Sequence, residues 1–307
     1  MAKNSEYSVQ EAAELCGMPE SEFLKRATSL KLPGLKSGTI KHSSLEKYFP
    51  IPDQIEYESK IIAISNQKGG EGKTTVSICL GEALSEHGKT LLVDWDPQAN
   101  ATNLFHKNPD KTIMDCLGYR GRKKIDLERI ILPLTPNFHL VPSALDLANL
   151  TTPYERDDFE LLKESILPVC SSYKYIVIDC PPSLGLILEN ALIAADYVLV
   201  PIQTRAFSVQ GLKDLHGTIE KIRSKANPRL KLLGAVLNQF EGQKALAGLA
   251  GSIKRYFPVF QTVLFRRESI PQSQAKMSLL SNYDKETMKY FQELASEVIE
   301  KMYVQEK

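Results

Sequence analysis

The chain has 307 residues, of which 43% are apolar and 24% charged, an ordinary globular balance that fits one large domain or two unequal ones. A formal net charge of +1 makes bulk charge silent on nucleic acid, so any DNA-binding face has to come from local clustering. Five scattered cysteines without a Cys-x-x-Cys pair exclude metal-ligand spacing, and no apolar signal core or run of 18 apolar residues occurs, so a reducing cytoplasm is expected.

Residues 1–50 differ in texture from the rest. Ser8-Val9-Gln10-Glu11 has the form of a capping box, with Val9, Ala12, Ala13 and Cys16 on one helical face and Gly17 as a natural stop. A second short helix is expected over 19–28, with Phe23 and Leu24 inward and Lys25 and Arg26 outward. Residues 30–42, LKLPGLKSGTIKH, predict a small hairpin, and SSLEKYF a third helix capped by Ser43 or Ser44. Two short helices across a glycine turn suggest a helix-turn-helix. On YSVQEAAELCGMP and G-x-IKHSSLEKYF, the segment resembles the small helix-turn-helix domains of the excisionase and MerR type. The resemblance implies DNA contact, with Lys25 and Arg26 as candidates. A departure is the hairpin, usually arginine-rich and here Lys36-Ser37-Gly38-Thr39-Ile40-Lys41. A packing module without DNA contact is the alternative.

The proline-marked connector at 50–54 separates this segment from a second domain, which divides the chain into 1–50, a linker at 51–58, and 59–307. Apolar runs at 61–65, 90–95, 175–180, 197–202, 232–238 and 259–265 read as strands. Helical stretches are expected at 74–87, 159–170, 186–195, 209–224 and 285–303. This alternation predicts a doubly wound α/β fold, a mainly parallel sheet covered on both faces. The polar, irregular loop 100–121 is a candidate mobile segment.

Gly69-Gly70-Glu71-Gly72-Lys73-Thr74 follows the first strand and opens a helix. Glycine N–H groups and a helix N-terminus can face phosphate oxygens, Lys73 can reach the β- and γ-phosphates, and the Thr74 hydroxyl can hold Mg²⁺, with Thr75 next in the turn. A glycine-rich turn without a ligand is the bland alternative. Two features depart from the usual phosphate loop: Gln67 replaces its first glycine, and a second lysine, Lys68, is present. A cation aimed at the γ-phosphoryl oxygens assists phosphoryl transfer, and Lys68 could supply one to a nucleotide on a second subunit. A solvated loop lysine fits the spacing equally well.

The run K-G-G-x-G-K-T resembles the deviant Walker A signature of the ParA and MinD family of P-loop NTPases. The resemblance implies that Lys68 reaches across an ATP-sandwich homodimer and that Gln67 is normal. Glu71 departs from the small or apolar residue usual there. A carboxylate at that place should repel a triphosphate unless it points away or pairs with a lysine. Asp94-Trp95-Asp96-Pro97-Gln98-Ala99-Asn100-Ala101-Thr102 resembles the ParA-type motif D-x-D-P-Q-G-N-A-T, with Ala99 for glycine. It implies that Asp96 positions the attacking water and that Asp94 supports the Mg²⁺ region. Tyr175-Ile176-Val177-Ile178-Asp179 has the Walker B form, with Asp179 acting on Mg²⁺ through water. No Asn-Lys-x-Asp occurs, so ATP rather than GTP is expected, and the resemblance implies that Asn238, at the end of a late strand, contacts the base.

An iron-protein reductase would need cysteines that bridge a cluster, and no suitable pair is present. Leu294, Val298, Ile299 and Met302 form a stripe on the last helix whose outer face is mixed and acidic, which fits packing on its own sheet better than a membrane anchor. The resemblance therefore points to a ParA-type partition ATPase. Its ATP-bound homodimer would bind nonspecific DNA on the nucleoid, and a ParB-type partner would stimulate hydrolysis. Lys254, Arg255, Arg266, Arg267 and Arg205 are the candidate DNA contacts. A nucleotide-switched repressor and an ATPase positioning a protein cargo are the alternatives.

Overall fold

A computed structural model describes residues 6–16, 18–49, 58–151, 153, 156–203, 208–240 and 251–306. The chain divides into two compact units, residues 1–57 and 58–307.

The first unit contains β1 (Glu6–Tyr7), α1 (Val9–Leu15), α2 (Glu20–Ser29), β2 (Ile40–Lys41) and α3 (His42–Tyr48). The capping box is formed: the Glu11 N–H donates to Ser8 Oγ at 3.3 Å, and the Ser8 N–H donates to Glu11 Oε2 at 2.8 Å. Ala12, Ala13 and Cys16 pack with Phe23, Ala27, Ile40, Leu45 and Phe49 in one small core. Gly17 lies outside the described residues. Three expectations need correction. Leu24 is 38% exposed, because Phe23 and Ala27 already fill the inward face of α2. The predicted 30–42 hairpin is absent: β2 pairs antiparallel with β1, thirty-odd residues earlier in the chain. The intervening turn closes because Gly34 sits at φ +88°, where a Cβ would stand 2.1 Å from the Thr39 carbonyl oxygen. The third helix begins at His42 with Lys41 at its cap position, not Ser43 or Ser44, and no side-chain cap is made.

The second unit is built on β3 (Lys60–Ile64), β4 (Thr90–Asp94), β5 (Leu132–Thr135), β6 (Phe138–Val141), β7 (Tyr175–Asp179), β8 (Tyr197–Gln203), β9 (Lys231–Phe240) and β10 (Val259–Phe265). Their order across the sheet is β10-β9-β8-β3-β7-β4-β6-β5. Every pairing is parallel except β5 on β6. Alternation along the strands sends Ala63, Leu91, Val93, Ile176 and Ile178 to one core, and Ile62, Ile64, Leu92, Val177 and Leu199 to the other. This is the expected doubly wound sheet with two buried faces. The β5–β6 pair was not expected.

The helices are α4 (Lys73–Leu84), α5 (Asn100–Phe105), α6 (Ile113–Leu117), α7 (Leu161–Ile166), α8 (Leu186–Ala194), α9 (Val209–Lys225), α10 (Ser269–Ala275), α11 (Leu280–Tyr283) and α12 (Lys285–Glu306). Residues 100–121 are irregular only in part: 106–112 has no regular structure, but α5 and α6 flank it, and Ile113, Met114, Cys116, Leu117 and Tyr119 are buried core. The expected helix at 159–170 is shorter and changes to 3-10 geometry at 167–172, where Pro168 removes an amide donor. On α12, Leu294, Val298 and Met302 join Val76 and Leu80 of α4 in one core. Among the described residues, no helix is long and apolar enough to cross a membrane.

Candidate functional site

Strand β3 lies between β7 and β8, yet the chain continues from it to β4, which leaves a crevice at the carboxyl ends of these strands. The loop that opens there carries the phosphate motif. Gly70 and Gly72 take φ +79° and +82°, and a Cβ on Gly72 would stand 2.2 Å from Asn238 Nδ2. Helix α4 starts at Lys73, so its first amides point toward the loop without intrahelical partners.

Lys73 is buried and its Nζ donates to the Lys68 carbonyl oxygen at 3.1 Å. Burial lowers its pKa, and the carboxylates of Asp179 and Asp96 pull it back up. Lys68 is half exposed, with Nζ 3.9 Å from Glu71 Oε1. Glu71 is buried and turns toward β8, where Oε2 accepts the Gln203 N–H, while Gln203 Nε2 donates to the Gly70 carbonyl oxygen. The carboxylate therefore both points away and approaches a lysine, the two conditions under which it can coexist with a phosphate cradle. Burial raises its pKa against that hydrogen bond and the nearby lysines. Asn238 Nδ2 donates to the Glu71 carbonyl oxygen at 2.9 Å. Buried Asn66 braces the other end, with Nδ2 donating to Pro201 O at 2.7 Å and Oδ1 accepting the Lys68 N–H at 3.2 Å.

The carboxylates gather opposite. Asp94 and Asp179 are register partners at the ends of adjacent strands. Asp179 is fully buried, and its Oδ1 accepts from Ser77 Oγ at 3.0 Å, while its Oδ2 has no hydrogen-bond partner. Burial and then the charge of Asp94 push its pKa up, and the Thr74 and Ser77 hydroxyls act the other way. A buried, unsatisfied carboxylate oxygen beside the first turn of α4 suits a hydrated cation. Both oxygens of Asp94 are engaged by the turn that follows it. Oδ2 accepts from Thr102 N at 2.8 Å and Thr102 Oγ1 at 2.7 Å, and Oδ1 accepts from Asp96 N at 3.3 Å. Desolvation raises its pKa despite these bonds. Asp94 thus shapes the turn that carries Asp96.

Asp96 accepts the Gln98 N–H at 2.9 Å, and its carbonyl accepts from Ser143 Oγ at 3.0 Å. Ala99, which replaces the motif's glycine, sits at φ +52°. Buried Trp95 donates from Nε1 to Ile187 O at 2.7 Å. Asp96 and Gln98 face residues 181–187 across a cavity of about 400 Å³.

A second cavity, of about 270 Å³, opens beside the loop and is lined by Thr75, Asn238, Gln239, Arg266, Arg267 and Gln274 among others. Gln274 Nε2 donates to Thr75 Oγ1 at 3.2 Å. The Arg267 guanidinium donates to Tyr290 OH at 3.1 Å and lies 5.5 Å from that ring's centre, and Arg266 Nε is 3.8 Å from Glu268. This arginine pair is exposed, and it also forms part of the cavity wall. Lys254 and Arg255 are exposed just ahead of β10, Lys25 and Arg26 are exposed on α2, and Arg205 lies outside the described residues.

The structure brings Gly69, Gly70, Glu71, Gly72, Lys73, Thr74, Thr75, Asp94, Asp96, Asp179 and Asn238 into one crevice. Asn66, Gln203, Ser143 and Gln274 escaped the sequence reading. A lone polar residue at the end of an apolar strand, as Gln203 ends β8, was the available signal.

Residues 59–232 match the AAA domain family. The chain is 34% identical over 250 residues to the chromosome-partitioning ATPase Soj of Treponema pallidum, covering 78% of this chain and 97% of that protein. A plasmid partition protein of Borrelia burgdorferi B31, solved with AMPPNP, is similar at a TM-score of 0.67 and 29% identity over 81% of this chain and 100% of the other. The cobyrinic acid a,c-diamide synthase of Mycobacterium smegmatis, solved with ADP and magnesium, is similar at a TM-score of 0.67 and 28% identity over 78% and 93%.

Proposed function

The chain belongs to the ParA and Soj family of partition ATPases, and from that premise we propose that it binds Mg²⁺ and ATP, pairs with a second copy, and coats DNA until hydrolysis releases it. One observation carries the catalytic part of this reading: the left-handed glycine loop leads straight into α4, whose Lys73, Thr74 and Ser77 act on Asp179, a buried carboxylate with an unsatisfied Oδ2.

The amides of the loop and the Lys73 ammonium bind the triphosphate. Asp179 and the Thr74 hydroxyl would hold Mg²⁺, which when bound would supply positive charge beside the triphosphate. Asp96 orients the attacking water, and the Asp94 network fixes the turn on which it stands. Lys68 reaches the γ-phosphoryl oxygens of the facing subunit. Asn238 spends one N–H on the Glu71 carbonyl, which leaves its second N–H and its oxygen for an adenine edge in the adjoining cavity. Arg266 and Arg267 then flank the nucleotide as well as any DNA.

Lys254, Arg255 and Arg205 contribute to a nonspecific DNA surface, and a ParB-type partner accelerates turnover on the nucleoid. Exposed Lys25 and Arg26 favour a second role, reading of a specific site by the first unit. Deleting residues 1–55 should remove site-specific binding and spare salt-sensitive nonspecific binding.

Phosphate release by the full chain, with and without random-sequence duplex, tests the proposal alongside Asp96→Ala. Slow turnover in the parent and an ATP-bound dimer accumulating in the variant are expected. A parent that stays monomeric with a non-cleavable ATP analogue would overturn the sandwich.

A further inference from the structure

We propose that the loop at 120–124, Arg-Gly-Arg-Lys-Lys, is a surface that binds nucleic-acid phosphates, separate from the cations named above. This deepens the DNA-coating reading and rests on it. Four of its five residues are cationic, and all five are exposed, although the whole chain carries a net charge of only +1. Such local concentration is the electrostatic footprint of a polyanion site.

The backbone presents this charge on a fixed turn. Gly118, Arg120 and Gly121 take φ +68°, +54° and +72°, so the chain reverses tightly just after α6. Gly118 terminates the helix, and the ideal Cβ position on it lies 3.6 Å from Lys124 Cβ, so the loop folds back over its own start. The Arg122 N–H donates to Tyr119 O at 3.3 Å, and the Ile125 N–H donates to Asp115 O at 3.1 Å. Tyr119 beneath is buried in the core, with the Arg120 guanidinium 5.1 Å from its ring centre. Left-handed Arg120 is the kind of backbone cost that recurs at binding sites.

Two carboxylates close to the loop in sequence, Asp115 and Asp126, are already occupied. Asp115 accepts from Lys111 Nζ at 3.0 Å and from the Thr112 N–H at 2.9 Å, and Asp126 lies 3.5 Å from Arg129 Nε. Among the described residues, Arg122, Lys123 and Lys124 make no ion pair. The loop also carries no apolar side chain to insert into a bilayer and no exposed aromatic to stack on a base. Those two absences favour backbone phosphates over a lipid surface and over base readout.

The test is a full-length Arg122→Gln/Lys123→Gln/Lys124→Gln variant, with Arg122→Lys as the charge-conserving control. Binding to a 60-base-pair random duplex is measured with ATP and Mg²⁺ across a salt series. The triple variant should weaken binding about tenfold or more. Its log–log salt slope should shrink by roughly 2 to 3, near 0.9 for each lost phosphate contact. ATP turnover without DNA, the melting temperature and the Arg122→Lys variant should match the parent. Unchanged affinity and slope in the triple variant would overturn this surface and leave the DNA-coating reading standing. A parent that fails to bind duplex in any nucleotide state would overturn both. Loss of binding to phosphatidylglycerol vesicles with duplex binding intact would reassign the loop to lipid and overturn the proposal.

Discussion

The carboxylate of Glu71 lies 3.9 Å from the ammonium of Lys68, three residues back in the same phosphate loop, while its other oxygen accepts the Gln203 N–H. Lys68 is thereby drawn toward its own loop. A role on the facing subunit requires this approach to be given up. Glu71→Val should remove this approach and a buried negative charge, raising ATP affinity and speeding dimer formation, each by about threefold to tenfold. Calorimetry with a non-cleavable analogue and stopped-flow light scattering measure the two. Unchanged values in both would remove Glu71 from the nucleotide response.

The two lysines should separate binding from chemistry. Lys73→Ala removes the buried cation inside the cradle and should weaken ATP binding by about 100-fold or more. Lys68→Ala should retain binding yet lose hydrolysis by about 10³–10⁵, the range of a cation supplied in trans. Normal turnover by Lys68→Ala, followed by phosphate release, would leave that lysine without a catalytic part.

Ala99 occupies a left-handed backbone position, which costs a residue with a Cβ roughly 1–2 kcal/mol. Ala99→Gly should therefore stabilise the chain by about 1 kcal/mol, a rise in Tm of about 2–4 °C for a unit of this size. An equal or lower Tm by calorimetry would mean that the turn relaxes at no cost in the parent.

Asp284 opens α12 by accepting the N–H groups of Glu286 at 3.0 Å and Thr287 at 3.1 Å and the Thr287 hydroxyl at 2.6 Å. The Thr287 hydroxyl first, then the Ser269 hydroxyl and the backbone N–H groups, lower its pKa from 3.8 to about 2. A depressed acid stabilises the fold fully above its unfolded value and loses that contribution as pH falls through the folded one. Asp284→Ala should cost about 1 kcal/mol near neutrality, as a lost cap does. The gap between parent and variant in denaturant melts should close between pH 3.8 and about 2. A gap independent of pH would assign the loss to packing.

The long parallel strands were legible because burial on both faces makes them continuous apolar runs, as in β7, β8 and β9. β5 and β6 were not, since each is four residues long, and β5 carries Pro133 and is only partly buried. Helices α5 and α6 span fewer than two turns each, too short for a 3.6-residue period to emerge, so a packed segment read as irregular loop. In the site, the glycines, Lys73 and Asp179 stood out by their spacing along one loop or strand end, whereas the parts given to Lys68, Asp94 and Asp96 came from the family resemblance. Asn66 and Gln203 were hidden because their partners lie 135 and 132 positions away. Arg266 and Arg267 are exposed, as surface charge would be, but a sequence does not show that the turn after β10 also borders a cavity with Asn238.

Trp95 is the chain's single tryptophan, and it sits between the two aspartates with its indole held to Ile187 beneath the 400 Å³ cavity. Its emission therefore originates from one known place. Any ligand or second copy that rearranges residues 181–187 alters the indole's surroundings, so the unlabelled protein reports such a rearrangement optically, in real time.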